Sequence, residues 1–359
     1  MGLGGVFGGW INDIWGWRIA FLIQVPITII SGIVVFFVID IPVKETDKSR
    51  IKRVDFLGAF TLVVALVLLL TGLNSGGNLV PWTHPLVLTT LPLSVVFLGL
   101  FIYVEDRIAS EPIIPVRLLL HRTTASACLT NWLGTMAVFA LLYYGPIYFQ
   151  VLGFSATKAG ARLIPNAVGV SIGSLGAGII MRSTGKYWWL NFSVEGCLVL
   201  SFALVAATFN AHTPAWPPFI YFFLAGIGYG GMLTTTLLAL ISAVDHAHQA
   251  VITSASYAFR STGSTIGITI ASAVFQNVLK SQLWARLGEK KHAAEIIGRL
   301  RDSIEEIRNV PASWRPSVID AYMEALRGVW LVALCISVLA ALVSLAMREH
   351  VLHNNLARK

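Results

Sequence analysis

Charge is scarce in this chain. Asp, Glu, Lys and Arg together make up 12% of its 359 residues, about half the ~25% of a soluble globular domain. That deficit excludes a water-soluble body of this size. Cysteine is scarce too: Cys128, Cys197 and Cys335 are the whole supply, with no CxxC among them. A disulfide framework and a thiolate zinc site are therefore excluded. No His-rich cluster and no Ser-His-Asp pattern is present, so neither a metal, a cofactor nor an enzymatic activity is expected. The opening Met1-Gly2-Leu3-Gly4-Gly5-Val6 has no basic start and no cleavage site, which excludes a signal peptide.

Apolar residues fill the gap. They make up 56% of the chain, and the mean hydropathy is +0.73. They fall into nine stretches of near 20 residues or longer: 18–39, 56–73, 86–104, 124–150, 159–181, 188–210, 216–241, 249–279 and 328–348. A helix crosses the ~30 Å bilayer core in about 20 residues, and most of these stretches are apolar all round. The expected fold is therefore all-α, a polytopic membrane protein whose first partner is the lipid bilayer. The three cysteines lie inside apolar stretches and read as small packing residues.

The net charge of +8 sits mostly in loops, where it reports orientation and not nucleic-acid binding. Loop 44–53 holds Lys44, Lys48, Arg50, Lys52 and Arg53; loop 105–122 holds Arg107, Arg117 and Arg122; loop 182–187 holds Arg182 and Lys186; the tail holds Arg348, Arg358 and Lys359. Loops 74–85 and 211–217 hold none. The positive-inside rule places the basic loops and the C-terminus in the cytosol. Asp245, His246 and His248, in a loop on the same side, read as a solvated turn. Residues 280–327 break the alternation, with nine Lys and Arg on the opposite side, which long loops are free to do. Within them Ile296, Leu300, Ile304 and Ile307 follow helical spacing. A helix on the membrane face or capping the bundle is one reading; a solvated hairpin is the other.

Particular motifs narrow the class. Gly4-Gly5-Val6-Phe7-Gly8-Gly9 leads to Asp13, then Gly16-Trp17-Arg18, then Gln24-Val25-Pro26. Further on stand Gly76-Gly77-Asn78, Pro81-Trp82, Gly160-Ala161-Arg162-Leu163-Ile164-Pro165-Asn166, Thr184-Gly185-Lys186-Tyr187 and the long run Ser254 to Ser264. Together these resemble the major facilitator superfamily, and within it the fungal fourteen-span drug:proton antiporters, nearest the vacuolar basic amino acid permeases. Gly4, Gly5, Gly8, Gly9, Asp13 and Arg18 match the antiporter motif, with Gly5 where the family has Pro. Gly178, Arg182, Gly185 and Lys186 resemble the gating loop, with Arg182 where the family has Asp. The resemblance implies two six-helix bundles with two helices inserted between them. On that plan 1–39 is the end of helix five plus helix six, 40–123 is the linker with the inserted pair, 124–348 is the C-terminal bundle, and 349–359 is a cytosolic tail. The fold is thus expected to lack most of the N-terminal bundle, and transport to need those helices. The implied activity is proton-coupled antiport of lysine, arginine and histidine into the vacuole, across the vacuolar membrane. A drug efflux antiporter of the plasma membrane is the alternative, and a non-transporting membrane protein is the rival from another class. The oligomeric state stays open.

An ionisable residue at membrane depth costs several kcal/mol and marks a candidate site. Glu195 falls seven residues into its stretch, roughly 10 Å deep, and could load a proton, attract a cation or pair with a neighbouring helix. Arg260 lies mid-stretch and could hold a substrate carboxylate or serve as a partner of Glu195. In 124–150, Pro146 is expected to break the helix at Gly145, and broken helices often line transport sites; Asn131, Tyr143 and Tyr144 are cavity candidates there, with an aromatic belt as the alternative for the tyrosines. Asn166, behind Pro165, is a further candidate. Gly226-Ile-Gly-Tyr-Gly230-Gly231 matches a dinucleotide fingerprint in spacing only. It lies in an apolar stretch and reads as close helix packing.

Overall fold

The computed structural model describes residues 4–38, 55–77, 79–109, 112–113, 116–214, 216–245, 248–288, 290 and 293–349. The basic loop 44–53, Asn78, His246 and the tail beyond 349 lie outside the described residues.

Helix α1 (Gly4–Trp15) ends at Gly16, whose φ of 82° turns the chain into α2 (Trp17–Leu22) and α3 (Gln24–Val38). The stretch expected as one helix over 18–39 is interrupted at Ile23, because Pro26 has no amide to offer the carbonyl four residues back. The pair expected as an insertion follows as α4 (Phe56–Ser75) and α5 (Pro85–Arg107). The Asp55 carboxylate caps α4 by accepting from the Gly58 amide at 2.8 Å, and His84 Nδ1 accepts from the Leu86 amide at the start of α5. After the short α6 (Val116–Leu119) come α7 (Arg122–Val151), α8 (Ala156–Ala161), α9 (Ile164–Thr184), α10 (Trp188–Thr208), α11 (Pro217–Ser242), α12 (Gln249–Leu287), α13 (Ala293–Asp302), a 3₁₀ turn (Ile304–Arg308) and α14 (Arg315–Ser344).

Eight helical segments among the described residues are long and apolar enough to span a bilayer. The chain is an all-α polytopic membrane protein. Two local expectations need correction. Helix α7 runs through Pro146 without a break, so the proline does not free the backbone at Gly145 into a gap. The stretch expected over 159–181 is divided into α8 and α9 at Arg162–Leu163, with Pro165 in the first turn of α9, where its missing amide costs nothing.

Helix α12 is not among the eight. Its 39 residues reach ~58 Å, well beyond the ~30 Å hydrocarbon core. In its cytosolic half, by the expected orientation, Ser254, Tyr257, Ser261 and Thr265 recur on one exposed face, with Arg260 and Ser264 half-buried beside them. Composition removes it from the apolar class, yet it packs firmly against α7 and α14.

Helix α7 is the hub of the bundle, contacting α11, α12 and α14, while α10 packs on α11 and α14. Apolar side chains alone do not draw helices together in lipid, so close backbone approach has to contribute. Helices α9 and α11 meet in this way: a methyl on Gly169, Gly173, Gly226 or Gly230 would overlap the facing backbone. The fingerprint-like glycines are thus a packing seam.

The 280–327 segment folds as a cap. The last turns of α12 and the first turns of α14 are joined by Arg286 Nη2 to Glu324 Oε1 at 2.9 Å and Arg286 Nη1 to the Ser317 carbonyl at 3.0 Å. Between them α13 and the 3₁₀ turn bury Ala293, Ile297, Leu300 and Ile307 into the bundle core. The expected helical register over 296–307 is therefore wrong in detail: the helix stops at Asp302, and Ile297 faces inward while Ile296 is half-buried.

Candidate functional site

Two residues one turn apart on α7, Asn131 and Thr135, face α11 and α12, and both are fully buried. Asn131 Nδ2 donates to Ser256 Oγ at 2.9 Å and to the Ser256 carbonyl at 3.3 Å. Thr135 Oγ1 lies 3.5 Å from Asn131 Oδ1 and 3.5 Å from the Tyr229 hydroxyl of α11. The approach of α12 that permits this depends on Gly263 and Gly267, which abut the backbone of Trp132 and Met136. One turn beyond Ser256, Arg260 is half-buried. Its guanidinium lies over the Tyr257 ring at 4.9 Å. Arg260 Nε has no hydrogen-bond partner. Tyr257 is 54% exposed. The result is a polar patch on three helices with a half-buried cation and an exposed aromatic ring at its edge, the Arg260 Nε itself being buried.

The sequence-derived candidates divide sharply. Asn131 and Arg260 enter this patch. Tyr143 is 52% exposed on the same helix as Asn131, and Tyr144 is buried with its ring 5.2 Å from Tyr143 and 5.1 Å from Phe275. Asn166 is a helix stitch: its Nδ2 donates to the Phe222 carbonyl at 3.2 Å. Glu195 is fully buried, and neither carboxyl oxygen has a hydrogen-bond partner. Arg260 therefore does not pair with it. Helix α11 beside it contains no Asp, Glu, Lys or Arg. A turn earlier, Asn191 Oδ1 accepts from Thr235 Oγ1 at 2.7 Å.

The glycine motif holds α1 against α8. A methyl on Gly9 would meet the Ala156 carbonyl at 2.7 Å, and Gly5 abuts Gly160, whereas Gly4 and Gly8 face open space. Asp13 Oδ2 accepts from the Thr157 amide at 3.0 Å and from the Thr157 hydroxyl. These bonds, the hydroxyl foremost, hold the exposed carboxyl below its ordinary 3.8. Arg18 stacks on Trp17 at 4.7 Å. In the loop resembling a gate, Gly185 caps α9 with φ +68° while Arg182 and Lys186 point to solvent and Gly178 touches no neighbour.

Thr135, Tyr229 and Ser256 were missed by sequence reasoning. Tyr229 hides among the α11 packing glycines, and Ser256 meets Asn131 across 125 positions. The polar residues recurring every three or four positions from Ser254 to Thr265 were the available signal. Among the described residues no cluster of three His, Cys, Asp or Glu could hold a metal ion.

The sequence profile of the Major Facilitator Superfamily matches residues 1–268. The chain belongs to the major facilitator superfamily. Its similarity to a Schizosaccharomyces pombe protein named multidrug resistance protein fnx1 is 35% identity, covering 99% of this chain and 68% of fnx1. The vacuolar membrane amino acid uptake transporter fnx2 of the same yeast is 34% identical over 89% of the chain and 56% of its own length. The vacuolar basic amino acid transporter 2 of Saccharomyces cerevisiae is 31% identical over 99% of the chain and 77% of its own length. The chain thus spans between about half and three quarters of these relatives. As a superfamily member it is an integral, multi-pass membrane protein of a transporter family acting on small molecules.

Proposed function

We propose that this protein is a proton-coupled antiporter that moves basic amino acids into the vacuole, with the polar face of α12 as one wall of the substrate path. The observation that supports this most is the row Ser254, Tyr257, Ser261 and Thr265 on the outside of the bundle beside Arg260. A guanidinium facing lipid would be costly, and the hydroxyl row beside it suits a wet cavity closed by further helices. Arg260 would hold the substrate carboxylate through the outer part of its half-buried guanidinium, with Asn131, Thr135 and Tyr229 fixing the wall behind it. Glu195, buried without a counter-charge, would carry the exchanged proton. The vacuole and amino acids are favoured by the names of two relatives, and basic amino acids by the name of one of them. The first-described relative, named for multidrug resistance, together with exposed Tyr143 and Tyr257, favours a second reading, efflux of lipophilic cations.

Uptake of radiolabelled lysine into proteoliposomes with an acidic interior tests the first reading. Wild type is expected to accumulate lysine, with arginine and histidine competing, and Arg260→Ala to raise KM at least tenfold, equivalent to about 1.4 kcal/mol. Competition by lipophilic cations with none by arginine would replace the first reading with the second.

A further inference from the structure

The turn between α4 and α5 is seated on α12. Gly77 has φ +71°, and its amide donates to the Val80 carbonyl at 2.8 Å, while the Leu79 and Val80 amides return to Ser75. Trp82 lies flat against Gly76, where a methyl would overlap its ring. These internal bonds leave the carbonyls of Gly76 and Gly77 pointing outward, at the negative end of α4. Both are taken by α12: Asn277 Nδ2 donates to Gly76 O at 3.3 Å and Lys280 Nζ to Gly77 O at 3.4 Å. Asn277 also donates to the Ala273 carbonyl at 2.6 Å, which fixes its amide in place. Among the described residues, α12 is the bundle helix against which α4 packs.

We propose that Lys280 and Asn277 are positioning residues for transport, fixing α12, and with it Ser256 and Arg260, relative to the α4–α5 pair. Arg260 and Lys280 are twenty positions apart on unbroken helix, ~30 Å, so a shift at the outer end of α12 is delivered to the polar patch by a stiff rod. A lysine serving only as an interfacial anchor would extend its ammonium to water. Here the side chain is half-buried and reaches a backbone carbonyl on another element. The inference rests on the reading of α12 as a wall of the path.

The test uses Lys280→Met, Asn277→Val and Lys280→Arg in the full chain, with Cys128, Cys197 and Cys335 replaced by Ala and Tyr257→Cys as a reporter. Labelling of position 257 by a membrane-impermeant maleimide is expected to change at least twofold in Lys280→Met and Asn277→Val and to return in Lys280→Arg. In proteins keeping Tyr257, the maximal rate of lysine transport is expected to fall at least fivefold with KM within twofold of wild type. Unchanged labelling overturns the inference even where melting temperature drops, since that result marks the contact as packing alone. Labelling does not depend on the substrate, so a wild type that fails to move lysine counts against the proposed substrate and leaves this reading to be decided at position 257.

Discussion

Glu195 and Arg260 lie in the same bundle with opposite surroundings. Arg260 is half-buried against Tyr257 beside an exposed row of hydroxyls, whereas Glu195 is fully buried with no hydrogen-bond donor for either oxygen. A charge fixed at membrane depth costs ~2.5–3.5 kcal/mol on insertion scales, so an unpaired carboxyl is retained there at the expense of stability. Glu195→Gln keeps the shape and removes the ionisable group. It is expected to melt no lower than wild type and to leave lysine–lysine exchange intact. Net accumulation driven by a proton gradient is expected to disappear, as measured in the same proteoliposomes; gradient-driven uptake that survives would remove Glu195 from coupling. Both residues were visible from the sequence as ionisable positions in apolar stretches. Their separation was not, because it depends on which face each helix turns inward.

At the scale of elements, two seams hold the bundle by backbone proximity. In the α9–α11 seam, Gly230 faces the Val170 backbone, while Gly176 on α9 touches nothing. Overpacking costs ~1–3 kcal/mol, so Gly230→Leu is expected to lower the melting temperature of detergent-solubilised protein or abolish folding, and Gly176→Leu to do neither. In the α1–α8 seam, Asp13 adds a titratable link to Thr157. Its folded value is depressed, so its contribution is complete above the ordinary 3.8 and is lost only as pH falls through the lowered value. The melting difference between wild type and Asp13→Asn should therefore be the same at pH 7.5 and pH 5. A difference that shrinks by pH 5 would show that the carboxylate is not held as described. The glycine motif announced close packing from sequence alone. Its partner, α8, was hidden because the sequence suggested a single helix where Pro165 starts a new one.

For the whole molecule, the cap joins distant parts of the chain on one face. Tyr322 of α14 donates its hydroxyl to the Leu300 carbonyl of α13, and both residues are buried. Removing the donor leaves a buried carbonyl unsatisfied, at ~1–3 kcal/mol. Tyr322→Phe is expected to lower the melting temperature and to raise amide exchange across 293–310 more than in α7. Uniform exchange in both regions would mean that the cap is not a separable layer. The α4–α5 pair, by contrast, leans on the bundle through α12, and α3 buries none of its residues.

Composition and apolar run length by themselves determined that the protein is an all-α, multi-pass membrane protein, because each span must satisfy its own backbone in lipid. Local motifs carried the superfamily, since glycine spacing and Trp-Arg or Gln-x-Pro signatures are short-range features. Only the tertiary structure decided which polar residues belong together. Asn131 finds Ser256, and Thr135 finds Tyr229, across large sequence separations, and a linear pattern holds no record of which helix lies beside which. It also decided that the segment after α12 folds back as a cap and that Lys280 reaches the α4–α5 turn. Helix neighbours are selected by packing between surfaces, and that energy is shared among residues far apart in the chain.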